Sequence, residues 1–129
     1  MKLLDTDHCI AILRKKLDLR EHISPDEELA TTAISVAELT HGANRSLRKD
    51  ENLASLDILL SSMLILPFDE VAGRIFGNLK AELEARGELL DDLDLQIASI
   101  AIVSKVPLIT NNHKHFSRID QLQIQNWLQ

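Results

Sequence analysis

Cysteine and aromatic side chains are what this chain has least of. Its 129 residues include one cysteine, Cys9, no tyrosine and 3% aromatics. A single cysteine excludes an internal disulfide and a thiolate metal cluster. Scarce rings argue against a base-stacking platform for single-stranded nucleic acid and leave the core to Leu, Ile, Val and Ala. Basic charge is also short: 14 Lys and Arg against 20 Asp and Glu give a net charge of −6. That disfavours a broad duplex-binding face but leaves room for local basic patches. No apolar run reaches the length of a membrane-crossing helix, and the acid at position 5 spoils a secretory-signal reading. The expectation is a cytoplasmic protein without membrane contact.

What is present is an alternation of short apolar runs and amphipathic stretches. Residues 2–5 (Lys2-Leu3-Leu4-Asp5) read as a buried strand of a parallel sheet. A helix follows, capped by Thr6 or Asp7, with Ile10, Ala11 and Leu13 inward. A short helix over 18–23 breaks at Ser24-Pro25-Asp26. Residues 29–33 form a second strand, Ser35 opens a helix through about Arg45, and residues 47–63 continue helical with Leu53, Leu56, Leu60 and Met63 on one stripe. Residues 63–66 make a third strand. The clearest helix spans 69–86, with Ala72, Ile75, Phe76, Leu79 and Leu83 on one face and Gly87 at its end. A helix over about 92–104 is apolar nearly all round and is therefore buried. Residues 106–110 make a fourth strand, 113–117 a helical turn and 122–126 a last strand, with Trp127 packing the terminus down. The length and the lack of any linker predict one domain over residues 1–129. Strands alternating with helices predict a parallel sheet covered on both sides.

Acids recur at the ends of these elements. Asp5 ends the first strand, where open α/β sheets place their ligands. Glu38, Asp92 and Asp94 lie just past a strand or in a first helical turn, which in a parallel sheet means the same edge. Each has a structural alternative. Asp5 or Asp7 could cap a helix; Ser35 and Glu38 fit a capping box; Asp91, Asp92 and Asp94 suit the positive end of a helix dipole. Asp94, however, heads an otherwise apolar row with Ile97, Ala98 and Ala101, where an acid is harder to place. Two carboxylates about 4 Å apart repel by about 4 kcal/mol at an effective dielectric of about 20. Several such pairs call for a shared cation, and an all-oxygen set suits Mg²⁺ or Mn²⁺ rather than zinc. Removing Asp5 is expected to relieve repulsion when no cation is bound. Cys9 reads as a small buried hydrophobe. The five histidines read as surface or packing residues, although His41, three after Glu38, could line the site. Arg14, Lys15, Arg45, Arg48, Lys49, Lys80 and Lys114 could meet a nucleic-acid backbone or simply form a solvated face.

The ordered set of motifs resembles the PIN-domain ribonucleases, in particular the VapC-type toxins of toxin–antitoxin pairs. The matching pieces are Leu3-Leu4-Asp5-Thr6-Asp7, Ile34-Ser35-Val36-Ala37-Glu38-Leu39-Thr40-His41-Gly42, Leu66-Pro67-Phe68-Asp69, and Asp92-Leu93-Asp94-Leu95-Gln96-Ile97-Ala98. Leu108-Ile109-Thr110-Asn111-Asn112 with Phe116, and Asn126-Trp127-Leu128, complete it, so the likeness spans the chain. The resemblance implies a three-layer α/β/α sandwich with a mainly parallel central sheet. It implies Mg²⁺-dependent endoribonuclease activity, with Mn²⁺ as a substitute, in which a metal-activated water attacks a phosphodiester of RNA. It also implies a cognate antitoxin over the site, a homodimer, and a tRNA as the suggested substrate. Position by position, it makes Asp5, Glu38 and Asp94 the core acids, Asp92 a further acid, and Thr110 and Asn111 orienting groups, with Thr6 and Asp7 in support. Two departures stand out. The family usually has Asn where this chain has Asp7, and it often has a late acid where this chain has His113-Lys114-His115.

Two rivals remain at this point. Asp5-Thr6-Asp7 also gives the Asp-x-Asp pattern of haloacid-dehalogenase-like phosphatases, with Asp5 as nucleophile and Asp7 as acid/base, but no suitable Lys precedes the later acidic pair Asp91-Asp92. A cleavage-dead RNA- or protein-binding domain of the same fold is the other.

Overall fold

The computed structural model describes residues 1–128. In chain order the elements are β1 (Lys2–Leu4), α1 (Thr6–Leu13), a 3₁₀ turn (Leu19–Glu21), β2 (Leu29–Thr32), α2 (Ala33–Asn44), α3 (Lys49–Ser61) and β3 (Leu64–Leu66). Then come α4 (Glu70–Ala85), α5 (Asp92–Ser104), β4 (Leu108–Ile109), α6 (His113–Phe116) and β5 (Ile124–Gln125). The five strands lie in the order β3-β2-β1-β4-β5, every pair parallel.

Period-2 alternation builds the layers. Successive strand residues point to opposite faces, so Leu3, Ala30 and Leu108 join α4 and α5 in one core, while Leu4, Leu29 and Ile109 join Cys9, Leu39 and Leu56 in the other. The result is the expected α/β/α sandwich. Each fully buried Leu or Ile contributes about 1.5–3 kcal/mol relative to exposure, which is how strands of two to four residues persist. The helix over 92–104 is buried as its composition demands: Leu95, Ile97, Ala98, Ile100 and Ala101 are all at most 2% exposed.

Several boundaries are tighter than the sequence pattern suggests, and backbone bonding explains them. The first strand ends at Leu4 because Asp5 turns to cap α1. Val106 N–H bonds Ala101 O at the end of α5, and Pro107 has no N–H, so β4 starts at Leu108. Met63 N–H still closes the turn after α3, so β3 starts at Leu64. Residues 18–23 make only a 3₁₀ turn, closed by Asp18 on the Arg20 N–H. Gly87, at φ +69, ends α4 in the left-handed conformation that favours glycine.

Candidate functional site

The strand order fixes where a site can form. The chain runs β1, β2, β3 to one side and returns to place β4 and β5 on the other. Connections therefore diverge between β1 and β4, and the crevice at their carboxyl ends is where such sheets bind ligands. Asp5 leaves β1 there and Thr110 leaves β4. The Asp5 N–H bonds Ile109 O at 3.0 Å, which ties the two together.

Asp5 is 7% exposed and is the N-cap of α1. Its Oδ1 accepts from the His8 N–H at 2.9 Å and from His8 Nδ1 at 3.0 Å. Among the described residues Oδ2 receives no hydrogen bond, and no side-chain oxygen is both buried and unpartnered; Oδ2 is thus the accessible oxygen. Of the caps the sequence offered, Asp5 rather than Thr6 or Asp7 is the one used, and any repulsion relieved by removing its carboxylate is set against the bonds lost with it. Those bonds amount to about 1 kcal/mol of cap and about 1–3 kcal/mol for leaving Nδ1 of the fully buried His8 without a partner.

Glu38 reaches the same edge from α2, and not as a capping-box partner. The N-cap of α2 is Thr32, whose hydroxyl accepts from the Ser35 N–H at 3.0 Å. Glu38 lies a turn further on, free of the helix end, and its Oε1 accepts from Thr6 Oγ1 at 2.7 Å. Ser35 Oγ lies 2.9 Å from the same Thr6 oxygen; with its one hydrogen given to Glu38, Thr6 accepts from Ser35. Thr6 therefore joins the start of α1 to α2.

Asp94 comes from the other half of the sheet. It is half-buried on the first turn of α5, and Asn112 Nδ2 donates to its Oδ2 at 3.3 Å. Its carboxyl is pushed up to about 6, first by burial and then by Asp91, Glu38 and Asp5, with His115 pulling the other way. Asp5 and Glu38, from two other elements, thus both bear on Asp94. Beside them, burial and the Asp5 charge raise Asp7 despite His8.

Other expected site residues are placed differently. The Asp92 carboxylate is turned to Lys80, at 3.0 and 3.3 Å, on the exposed side of α5. The acid of that turn that acts on Asp94 is Asp91, which also caps the helix through the Leu93 N–H. Asn112, not Asn111, contacts Asp94, and buried Thr110 orients it by accepting the Asn112 N–H at 3.0 Å. Asn111 instead accepts from Asn126 Nδ2 at 2.8 Å. Adjacent polar residues after a strand gave no signal for choosing between them. Sequence reasoning gave Ser35 a different role, in a capping box, and read His8 only as a surface or packing residue; the contacts they make run across the fold. Cys9 is buried, as expected of a small hydrophobe, and burial pushes its thiol up to about 12.

The donor set of Asp5, Glu38 and Asp94 fits a hard dication in its chemistry: all three offer carboxylate oxygens, and the one cysteine is buried. As placed, however, no three His, Cys, Asp or Glu side chains among the described residues stand at coordination distance of one point. Glu38 also borders a groove of about 270 Å³ between α1, α2 and α3, lined by Ile10, Leu13, Arg14, Leu39 and Leu56.

The profile of the PIN domain family matches residues 2–122. Ribonuclease VapC2 of Rickettsia felis is 36% identical over 129 residues, covering 97% of this chain and 96% of its own. The tRNA(fMet)-specific endonuclease VapC of Salmonella typhimurium is 31% identical over 127 residues, covering 97% and 96%. A crystal structure of VapBC2 from Rickettsia felis, bound to a DNA fragment from its promoter, matches with a TM-score of 0.90 at 35% identity, covering 98% of both chains.

Proposed function

The chain belongs to the PIN-domain family, and from that membership we propose that it is the toxin of a toxin–antitoxin pair, an endoribonuclease that hydrolyses phosphodiester bonds of RNA with a divalent cation. The observation that carries this is the convergence of Asp5 and Glu38 on Asp94 at the β1/β4 crevice, where Asp94 is pushed up to about 6. Acids from three elements that crowd one edge of the sheet are electrostatically costly unless a cation or protons share it.

Asp5 and Asp94 would hold Mg²⁺ or Mn²⁺, with Glu38 completing the set from its Thr6 anchor. The chemistry such an ion supplies is a water of lowered pKa and relief of charge building on the phosphate. The chain's own groups do the rest. Thr6 fixes Glu38, Thr110 and Asn112 orient Asp94, and Asn111 steadies the edge through Asn126. Asp7 adds negative charge beside Asp5, and Asp92 holds Lys80 at the rim. Arg14, Lys15, Arg45, Lys49 and Lys114 have no ion-pair partner among the described residues and are the cations open to an RNA backbone; Arg48 and Lys80 are paired with Glu51 and Asp92. A tRNA is the substrate we favour, since one relative is named for cleaving tRNA(fMet). The groove beside Glu38, apolar with Arg14 at its wall, suits an amphipathic segment of the antitoxin. Exposed Ile58, Leu64 and Ile65 on α3 and edge strand β3 offer apolar surface for a second copy. No helix of the described residues is long and apolar enough to cross a membrane; in this reading the chain acts in the cytoplasm as one domain. A phosphatase with Asp5 as nucleophile is no longer required.

The test is incubation of the purified chain with labelled tRNA, with Mg²⁺ and separately with EDTA. Cleavage confined to the Mg²⁺ arm is expected. Cleavage persisting in EDTA, or cleavage in neither arm with other RNA also left intact, overturns the reading.

A further inference from the structure

We infer that His8 is a positioning residue for Asp5, set in turn by the backbone of the C-terminal segment at Trp127; this rests on the reading of Asp5 as a cation ligand. His8 is fully buried between the two. Its Nε2 lies 3.2 Å from the Trp127 backbone nitrogen and its Nδ1 lies 3.0 Å from Asp5 Oδ1. A backbone N–H can only donate, so Nε2 must accept. The hydrogen of the neutral ring is then on Nδ1, aimed at Oδ1. One tautomer satisfies both ends, and the other would leave two donors facing each other at Trp127 and two acceptors at Asp5.

The consequence for Asp5 is a division of labour between its oxygens. Oδ1 takes both bonds from residue 8, one from the backbone and one from the ring. The carboxylate plane is therefore pinned and Oδ2 is left for a ligand. A group that donates to a ligating carboxylate orients it, and loss of such partners typically weakens metal binding about 10–100-fold.

The C-terminal segment is built to hold its end. The Trp127 indole is 8% exposed within the α1–α3 core. It stacks on His22 at 5.1 Å and 11°, and meets the His8 ring edge-on at 6.4 Å and 77°. Asn126 donates to Asn111 at 2.8 Å and accepts from the Leu128 N–H at 2.9 Å. A line of contacts thus runs from the end of β4, through the segment after β5, to the acid at the end of β1. An ordinary core histidine needs partners, but it does not need one partner to be the accessible acid of a site.

Three full-length variants test this, His8→Leu, His8→Asn and Asp5→Asn, each checked by circular dichroism and titrated with Mn²⁺ by calorimetry. His8→Leu is expected to weaken Mn²⁺ about tenfold or more, and His8→Asn, which keeps a donor near the Nδ1 position, to recover to within about threefold of the parent. A folded His8→Leu protein with parental Mn²⁺ affinity, or a His8→Asn protein no better than His8→Leu, overturns the inference. If Asp5→Asn itself keeps parental Mn²⁺ affinity, the ligand reading falls first, which separates the two failures. Should His8→Leu not fold, ¹⁵N-histidine NMR of the unaltered chain decides. An Nδ1–H tautomer whose resonance moves on adding Mg²⁺ is expected; an Nε2–H tautomer, or a resonance indifferent to Mg²⁺, overturns it.

Discussion

The two halves of the acidic edge are built by opposite means. On the β1/β2 side, Asp5 and Glu38 are fastened: Asp5 by two bonds from His8, Glu38 by Thr6 at 2.7 Å. On the α5 side, Asp94 has one contact, Asn112 at 3.3 Å, and is pushed up to about 6 by burial and by three neighbouring acids. One half supplies geometry and the other supplies electrostatic demand. In the proposed role, fastened carboxylates would give a cation a fixed seat, and a carboxyl that holds its proton to about pH 6 would make that seat responsive to pH.

Substitutions can break this contrast. The largest effect is expected for Asp94→Asn, which removes a charge from the ion's surroundings; losing several kcal/mol of charge stabilisation lowers RNA cleavage about a thousandfold, measured as single-turnover rates at saturating Mg²⁺. A variant within tenfold of the parent would erase the distinction between the halves.

Next in size is the pH response. Asp94 must lose its proton to bind a cation, so Mn²⁺ affinity is expected to fall as pH drops below about 6, by up to about tenfold per pH unit; calorimetry from pH 5 to 8 checks this, and Asp94→Asn should flatten the curve. In EDTA the sign for stability is the reverse. The folded carboxyl sits at about 6 against 3.8 unfolded, so its contribution is full below pH 3.8 and is lost as pH rises through about 6. Screening at this half-exposed position limits the loss to about 1 kcal/mol, readable in urea midpoints at pH 4 and 7.

Thr6→Val sharpens the other half. It frees Glu38 while keeping the side chain's shape, and about a tenfold rise in the Mg²⁺ concentration for half-maximal cleavage is expected. The smallest effect belongs to Asp92→Asn. Its bridge to Lys80 is exposed, so cleavage should stay within about threefold and stability within about 1 kcal/mol. A collapse of activity in Asp92→Asn would return that residue to the centre of the site.

Much of this was legible in the chain itself. Apolar runs of three or four residues bounded by helical periodicity marked the strands, and the all-round apolar stretch from Leu95 to Val103 could only be a buried helix. Asp5 and Asp94 stood out because an acid closed a buried strand or headed an apolar row. What local pattern could not rank was tertiary competition. Ser35 and Glu38 satisfy a capping box on paper, yet Thr6, 32 residues from Glu38, offers the better partner. Asp91, Asp92 and Asp94 share one helical turn, and only the packing of α4 against it, with Lys80 on the outer side, tells which acid faces in. His8 was hidden for the same reason: its two partners are three residues and 119 residues away.

The pairing of β1 with β4 joins residues 3 and 4 to residues 108 and 109. A chain emerging from the ribosome therefore carries Asp5, Thr6 and Glu38 long before Asp94 and Asn112 can reach them. Closing a contact of that sequence separation is the late, entropically demanding step of assembly. Until the last fifth of the polypeptide is made, the growing product cannot hold Asp94 and Asn112 beside Asp5, so the acidic edge closes only as the sheet does.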